Sequence, residues 1–442
     1  MNTQHSMQSQ PATVSARQGL LALSPIVVFL LLYVAVSVAI GDFYKMPMSI
    51  AFIVASMWAI LITRGLTMAQ RVDVFSRGAA RPGILHMVWI FIMAGAFSAL
   101  AEGTGSVDAT VRLALGVMPP QLMLPSLFLI ACFISMSIGT SVGTIVALTP
   151  FATHAAASTG TPPALMVSVV LGGSFFGDNL SFISDTTIAA TRSLKVKMND
   201  KFKANLWLAV PAAVLTLCVY LAMGLTAAPQ AMPQAAGAEW LPVLPYLIVV
   251  VTAVAGLNVL VVLTLGIVAG IVIALCTQPT PLMEMCALMG NGIKDMSDLI
   301  IVTLLAAGLL GVINHNGGIA FLIGGLTRHV HGPRGAQASV AALVGVVNLC
   351  TANNTIAIIT VGDIAKRIAH TFNLDPRRTA SVLDTCSCIV QCMIPYGAQT
   401  LLAAGIAHVS PVAFLHLNYY AMALTLMVAL SIVFDFPRMG RK

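Results

Sequence analysis

The chain has 442 residues, of which 58% are hydrophobic and 8% charged, whereas soluble domains carry about 25% charged residues. That balance excludes a water-soluble fold and predicts a chain embedded in a lipid bilayer. A net charge of +7 would point to nucleic acid in a soluble protein, but here Lys and Arg are confined to short loops, where they set membrane orientation, and no nucleic-acid partner is expected.

Residues 1–20 are polar, contain Arg17 and run into an apolar segment of spanning length without a small-residue cleavage site; they predict a cytoplasmic tail. A bilayer core takes roughly 20 apolar residues per helix. Simple spans are predicted at 21–40, 46–63, 83–101, 204–226, 241–256, 258–276, 298–316 and 411–433. Four longer stretches, 121–158, 161–191, 335–372 and 376–405, are interrupted near the middle by Gly, Ser, Thr, Asn or Pro. The eight cysteines fall mostly in apolar runs, where Cys acts as a small buried hydrophobe. Cys386, Cys388 and Cys392 cluster without a His or second pair at ligand spacing, so no resident cofactor is predicted.

A single offset of 214 residues maps one half on the other: Gly103 on Gly317, Pro162 on Pro376, Thr186 on Thr400, and Gly139-Thr140-Ser141 on Asn353-Asn354-Thr355. Loop 192–203 holds Arg192, Lys195, Lys197, Lys201 and Lys203, while its image at 406–417 has no Lys or Arg. Loop 366–378 holds Lys366, Arg367, Arg377 and Arg378, while its counterpart at 152–164 has none. Basic loops face the cytoplasm, so the halves, 21–230 and 235–440, are predicted to be inverted repeats with both termini cytoplasmic. The expected fold is an all-α polytopic membrane protein of about ten transmembrane helices, five per repeat, each repeat with a re-entrant hairpin and a broken helix. On this layout only Lys45, Arg112 and Lys294 lie outside. Twelve or more unbroken helices is the alternative, because a hairpin of that length also fits two short spans.

Interrupted helices in inverted repeats are where secondary transporters place ion and substrate ligands. The first hairpin tip offers Thr140 and Ser141, the second Asn353, Asn354 and Thr355; small residues there also suit close helix packing. The densest polar cluster, Gly177 to Thr187, includes Asp178, Asn179, Ser181, Ser184, Asp185 and Thr186. An ionised Asp at the centre of a spanning helix costs at least about 2.5 kcal/mol, and a bound cation would compensate it. The same desolvation lets a proton replace the cation at the same oxygens. Asp178, nearer the middle of its segment, is the first candidate for holding Na⁺. Asp185 is a second ligand or a cap of the following half-helix. Asp384 closes the site from the opposite repeat or pairs with a hydroxyl. Glu102 and Asp298 read as interfacial, and His86, His154 and His315 as loop-edge residues. Two intramembrane Asp also suit an aspartyl protease, but the Gly expected two positions before Gly177-Asp178 is Phe175, so no enzyme is predicted.

Gly177-Asp178 followed by Ser181 and Ser184-Asp185-Thr186-Thr187 resembles the signature of the NhaC family of bacterial Na⁺/H⁺ antiporters. Gly139-Thr140-Ser141 with Gly143-Thr144 is similar to that family's other first-half motif, and Asp384 with Pro395 resembles its second-half one. The chain departs from the pattern at Asn179, where Lys is usual, at Phe182 near a Pro position, at Leu383 in place of an acid and at Tyr396 in place of Trp. The resemblance implies a homodimer in a bacterial inner membrane exchanging Na⁺ and H⁺ by alternating access. The second expectation is Na⁺-coupled transport of a small organic solute, an amino acid or carboxylate, with Asn353, Asn354 and Tyr396 in contact with it.

Overall fold

A bilayer offers no hydrogen bonds to bare backbone, so a spanning chain must satisfy its amides internally. The computed structural model accordingly is helical and has no strand among the residues it describes, 15–40, 46–117, 120–181, 184–226, 240–277, 281–327 and 332–437. Lys45, Phe182, most of the predicted tail 1–20 and the predicted boundary at 230–235 lie outside the described residues.

The first half runs α1 (Ala16–Ile40), α2 (Met48–Ile62), α3 (Met68–Ala79), α4 (Pro82–Gly103), α5 (Ser106–Val117), α6 (Met123–Ile138), α7 (Ser141–Thr159), α8 (Pro163–Leu180), α9 (Asp185–Leu194) and α10 (Met198–Thr226). The second runs α11 (Leu244–Val254), α12 (Val259–Thr277), α13 (Leu282–Asp295), α14 (Ser297–His315), α15 (Gly318–Thr327), α16 (Gly332–Thr351), α17 (Asn354–Thr371), α18 (Pro376–Met393), α19 (Ala398–Ala407) and α20 (Tyr419–Phe434). Seven stretches among the described residues are long and apolar enough to cross a membrane, and the protein is a multi-pass membrane protein.

The helices form two compact units. One holds α1–α3, the part of α14 from Leu305 onward, and α15; the other holds the remaining helices. In the smaller unit, Thr67 and Gln70 form a reciprocal capping box at the start of α3, which satisfies two amides that a helix end leaves open. Gly78 at its other end lets α3 approach the backbone of Ala307 and Gly311.

In the larger unit α6 and α8 pack closely through small residues, as membrane helices do in the absence of a hydrophobic drive between them. A Cβ at Gly177 would stand 2.1 Å from Ser135 Oγ, and one at Gly173 2.5 Å from Ala131 Cβ. Ser135 Oγ crosses the interface to donate to the Ser174 carbonyl at 2.6 Å. Helices α4 and α13 meet in the same way, the Cβ of a residue at position 95 falling 2.3 Å from the Gly292 carbonyl oxygen.

Each of the four interrupted stretches is two helices flanking a break, and three of the breaks have a local cause. Gly139 ends α6 at φ +75° and Thr140 is extended, so α7 starts in a new direction. The equivalent turn after α16 uses Ala352 at φ +48°, followed by an extended Asn353; a non-Gly residue there carries strain of about 1–2 kcal/mol. Helix α18 stops at Ile394, which is extended because the ring of Pro395 excludes helical geometry from the residue before it. Helix α8 stops at an extended Ser181.

These breaks correct the predicted register. Gly139 and Ala352, Gly160 and Asn373, and Lys195 and His408 are three pairs of left-handed residues; 352 less 139, 373 less 160 and 408 less 195 all give 213. The bounds of α8 and α18, and of α9 and α19, keep the same separation. The offset of 214 read from identities is therefore one residue off where the breaks lie, and the register is not gapless. At 213 the counterpart of Asp178 is Gln391, and that of Thr186 is Gln399.

Candidate functional site

The breaks between α6 and α7, α8 and α9, α16 and α17, and before α19 converge on a cavity of about 280 Å³ in the larger unit. From the predicted set it is lined by Thr140, Ser141, Asp178, Ser184, Asp185, Thr186, Asn353, Asn354 and Thr355. Gly83 and His86 of α4 also line it and are exposed, so the cavity opens there.

Asp178, 4% exposed, sits in the last turn of α8. Its Oδ1 accepts the backbone N–H of Ser141 at 3.0 Å. Thr140, the N-cap residue of α7, supplies no side-chain cap, so the carboxylate of another helix does so and lies at the positive end of the α7 dipole. The Ser141 side chain also hydrogen-bonds to this carboxylate; together the two contacts account for part of the cost of burying it, and the rest is left to whatever enters the cavity. The carbonyl of Asp178 accepts from Thr186 and Thr187 Oγ1, each at 3.4 Å. Ser184 and Thr186 hydroxyls pair at 2.8 Å. Asp185 is the first residue of α9 and is exposed, a position that suits an acid at a helix N-terminus and leaves its carboxylate at the cavity.

On the other side Asn353 caps α17, its Oδ1 accepting the Ile356 N–H at 2.9 Å. Asn354 Oδ1 accepts the Thr355 N–H at 3.0 Å, and its Nδ2 lies 4.0 Å from Cys388 Sγ. Two glutamines not singled out in the sequence link the breaks. Gln391 Nε2 donates to the Ala352 carbonyl at 3.1 Å and to Gln399 Oε1 at 2.8 Å, and Gln399 Nε2 donates to Ser141 Oγ at 3.3 Å. Asp178 and its counterpart Gln391 thus each touch the turn of a helix pair, one with a charge and one without.

Three predicted site residues do not line the cavity. Ser181 Oγ donates to the Met136 carbonyl at 3.0 Å. Asn179 Nδ2 donates to Phe175 O at 2.9 Å and to the Tyr420 hydroxyl at 3.1 Å. Asp384 is fully buried, and Lys201 Nζ stands 2.7 Å from its Oδ2. This corrects the reading of Lys201 as a cytoplasmic loop lysine: α10 begins at Met198 and carries Lys201 inward to 1% exposure. A buried ammonium is tolerable only with a counterion and hydrogen bonds, and Lys201 has Asp384, the Asn179 carbonyl at 3.0 Å and Thr187 Oγ1 at 2.6 Å. Asn205 Nδ2 bridges the same two acceptors, Asn179 O at 2.7 Å and Asp384 Oδ2 at 2.8 Å. Tyr396 points its hydroxyl to the Leu349 carbonyl at 2.7 Å and is not part of the cavity wall. His154 lies between two carboxylates, Nδ1 2.8 Å from Asp108 and Nε2 3.7 Å from Glu102.

A cavity at converging helix breaks in an apolar helical protein is the arrangement of a secondary transporter, and comparison with known sequences agrees. The profile of the Na⁺/H⁺ antiporter family matches residues 4–225 and 232–436. The chain belongs to the Na⁺/H⁺ antiporter family. It is 26% identical over 386 residues to the Na⁺/H⁺ antiporter NhaC of Alkalihalophilus pseudofirmus, covering 80% of this chain and 82% of that one. It is also 26% identical over 202 residues to the malate-2H⁺/Na⁺-lactate antiporter of Bacillus subtilis, covering 45% of this chain and 42% of the relative. A third relative, the arginine/ornithine antiporter ArcD of Halobacterium salinarum, is 24% identical over 387 residues, 80% of each chain. The protein is thus a transmembrane antiporter of this family, and the Asp178 cavity is the candidate site for its ions.

Proposed function

We propose that the protein exchanges Na⁺ for H⁺ at the Asp178 carboxylate by alternating access. The observation that carries this reading is a buried carboxylate, with one backbone hydrogen bond, in the wall of a cavity that opens at Gly83 and His86. Around it stand the hydroxyls of Thr140, Ser141, Ser184 and Thr186 and the Asp185 carboxylate, hard oxygen ligands of the kind an alkali cation takes. Na⁺ and H⁺ compete for the same oxygens, so each leaves as the other binds. The neutral Gln391 at the counterpart position supports one exchanging carboxylate per chain.

The test uses everted vesicles holding a preset pH gradient. Added Na⁺ should collapse the gradient with no organic substrate present, and Asp178→Asn should abolish the response while the protein is still made and inserted. Asn keeps an oxygen for the Ser141 N–H and removes only the charge. Wild-type exchange by that variant would remove Asp178 from the scheme.

The same reading includes inverted repeats at 21–230 and 235–440, re-entrant hairpins formed by α6–α7 and α16–α17, a bacterial inner membrane with both termini cytoplasmic, and a homodimer. A second reading, Na⁺-coupled movement of an amino acid or carboxylate, is favoured by the size of the cavity. At about 280 Å³ it exceeds a dehydrated ion many times over, a water taking about 30 Å³ of liquid, and Gln399 in its wall offers an amide to a solute. Two of the relatives are named for organic substrates. Gradient collapse that appears only when a panel of amino acids and carboxylates is added would decide for this reading.

A further inference from the structure

We propose that the Lys201 ammonium is a tethered cation that permanently fills a second sodium-type site beside Asp178, and so fixes how many ions the protein carries per cycle. The inference rests on the exchange reading above. Nζ lies 2.7 Å from Asp384 Oδ2, 2.6 Å from Thr187 Oγ1 and 3.0 Å from the Asn179 carbonyl oxygen. A carboxylate, a hydroxyl and a backbone carbonyl freed at a helix break are the ligands that transporters offer to Na⁺. Asn205, one turn along α10, donates to both Asp384 Oδ2 and Asn179 O and holds two of the three oxygens in place without the lysine.

The cluster also carries more acceptors than its donors satisfy. Asp384 Oδ1, Asn179 Oδ1 and Asn205 Oδ1 are buried with no hydrogen-bond partner among the described residues. A pair kept only for stability would not retain them, since a buried ion pair is often matched by apolar residues of the same volume and each orphaned acceptor costs free energy. A surplus of buried acceptor oxygens is what a cation site needs. The site is joined to the exchanging carboxylate through the chain: Asn179 follows Asp178, and Thr187 Oγ1 reaches both Lys201 and the Asp178 carbonyl. With the ammonium in place, Asp384 is neutralised without taking an ion from solution.

Removing the ammonium should open the site. Lys201→Met keeps the length of the apolar stem and leaves Asp384 negative, so Na⁺ should take its place. Equilibrium binding of radioactive sodium to purified protein in detergent reads this directly. The parent should bind one ion per polypeptide, K201M one more than the parent, K201M/D178N one fewer than K201M, and D178N none. K201M/D384N should lose the extra ion. A monodisperse K201M that binds no more sodium than the parent would overturn the proposal, as would retention of the extra ion by K201M/D384N. If K201M is recovered monodisperse only when Na⁺ replaces N-methylglucamine, the proposal stands; aggregation in both salts overturns it. Sodium still bound by D178N would instead sink the role of Asp178, while the difference between K201M and its parent would still decide the role of Lys201.

Discussion

Two buried carboxylates have opposite solutions to the same desolvation cost. Asp384 has a full counter-charge in Lys201, whereas Asp178 has only the amide and side chain of Ser141 and a cavity. Asp384→Asn should therefore leave a buried ammonium unpaired and cost about 3–5 kcal/mol, read as a fall in thermal unfolding temperature in detergent; an unchanged temperature would show that Lys201 finds another partner. Gly177→Ala should cost about 1–3 kcal/mol by overpacking, because its Cβ would press on the Cβ and backbone of Ser135 as well as its hydroxyl, so Ser135→Ala in the same chain should not recover the loss. Asp178 was legible in the sequence because a charge in an apolar run has no bland reading. Lys201 was not: it stands in a run from Arg192 to Lys203 that reads as a charged loop, and the residue that explains it, Asp384, lies in the other half of the chain.

At the scale of the element, the two hairpin turns are built differently. Asn353 caps its own helix, and Asn353→Ala should cost about 1 kcal/mol, checked by the same thermal measurement. The first turn of α7 depends on α8 for its cap, so Asp178→Ala should destabilise the protein where Asp178→Asn does not, a contrast that separates the fold from the chemistry. The four breaks were visible in the sequence because Gly139, Asn353 and Pro395 have few other uses inside apolar stretches. Their register was not, because the turn that uses Gly139 in one half uses Ala352 in the other, and identities such as Pro162 with Pro376 and Thr186 with Thr400 fall one residue off the separation that the helix ends keep. Helices α3, α5, α13 and α15, of 10 to 14 residues, went unpredicted because length and apolar content, the signals that mark a span, say nothing about helices too short to make one.

For the whole molecule, the proposed inverted arrangement makes a prediction that no contact within the chain can replace. In a background without the native cysteines, Ala157→Cys in the first hairpin and Thr371→Cys in the second, both exposed positions, should react with an impermeant thiol reagent from opposite faces of the membrane. Reaction of both from one face would end the mirror relation and alternating access by it. The cavity that opens at Gly83 and His86 has an electrical consequence as well. If that opening faces one compartment, as alternating access requires, solvent filling it would bring that compartment's potential down to Asp178, and the transmembrane voltage would drop mainly across the helices beyond. An ion reaching Asp178 then does little electrical work. On the exchange reading, the ~2.3 kcal/mol per charge that 100 mV supplies would be delivered to the step that exchanges one opening for the other, and that step, not binding, would be the one that membrane potential drives.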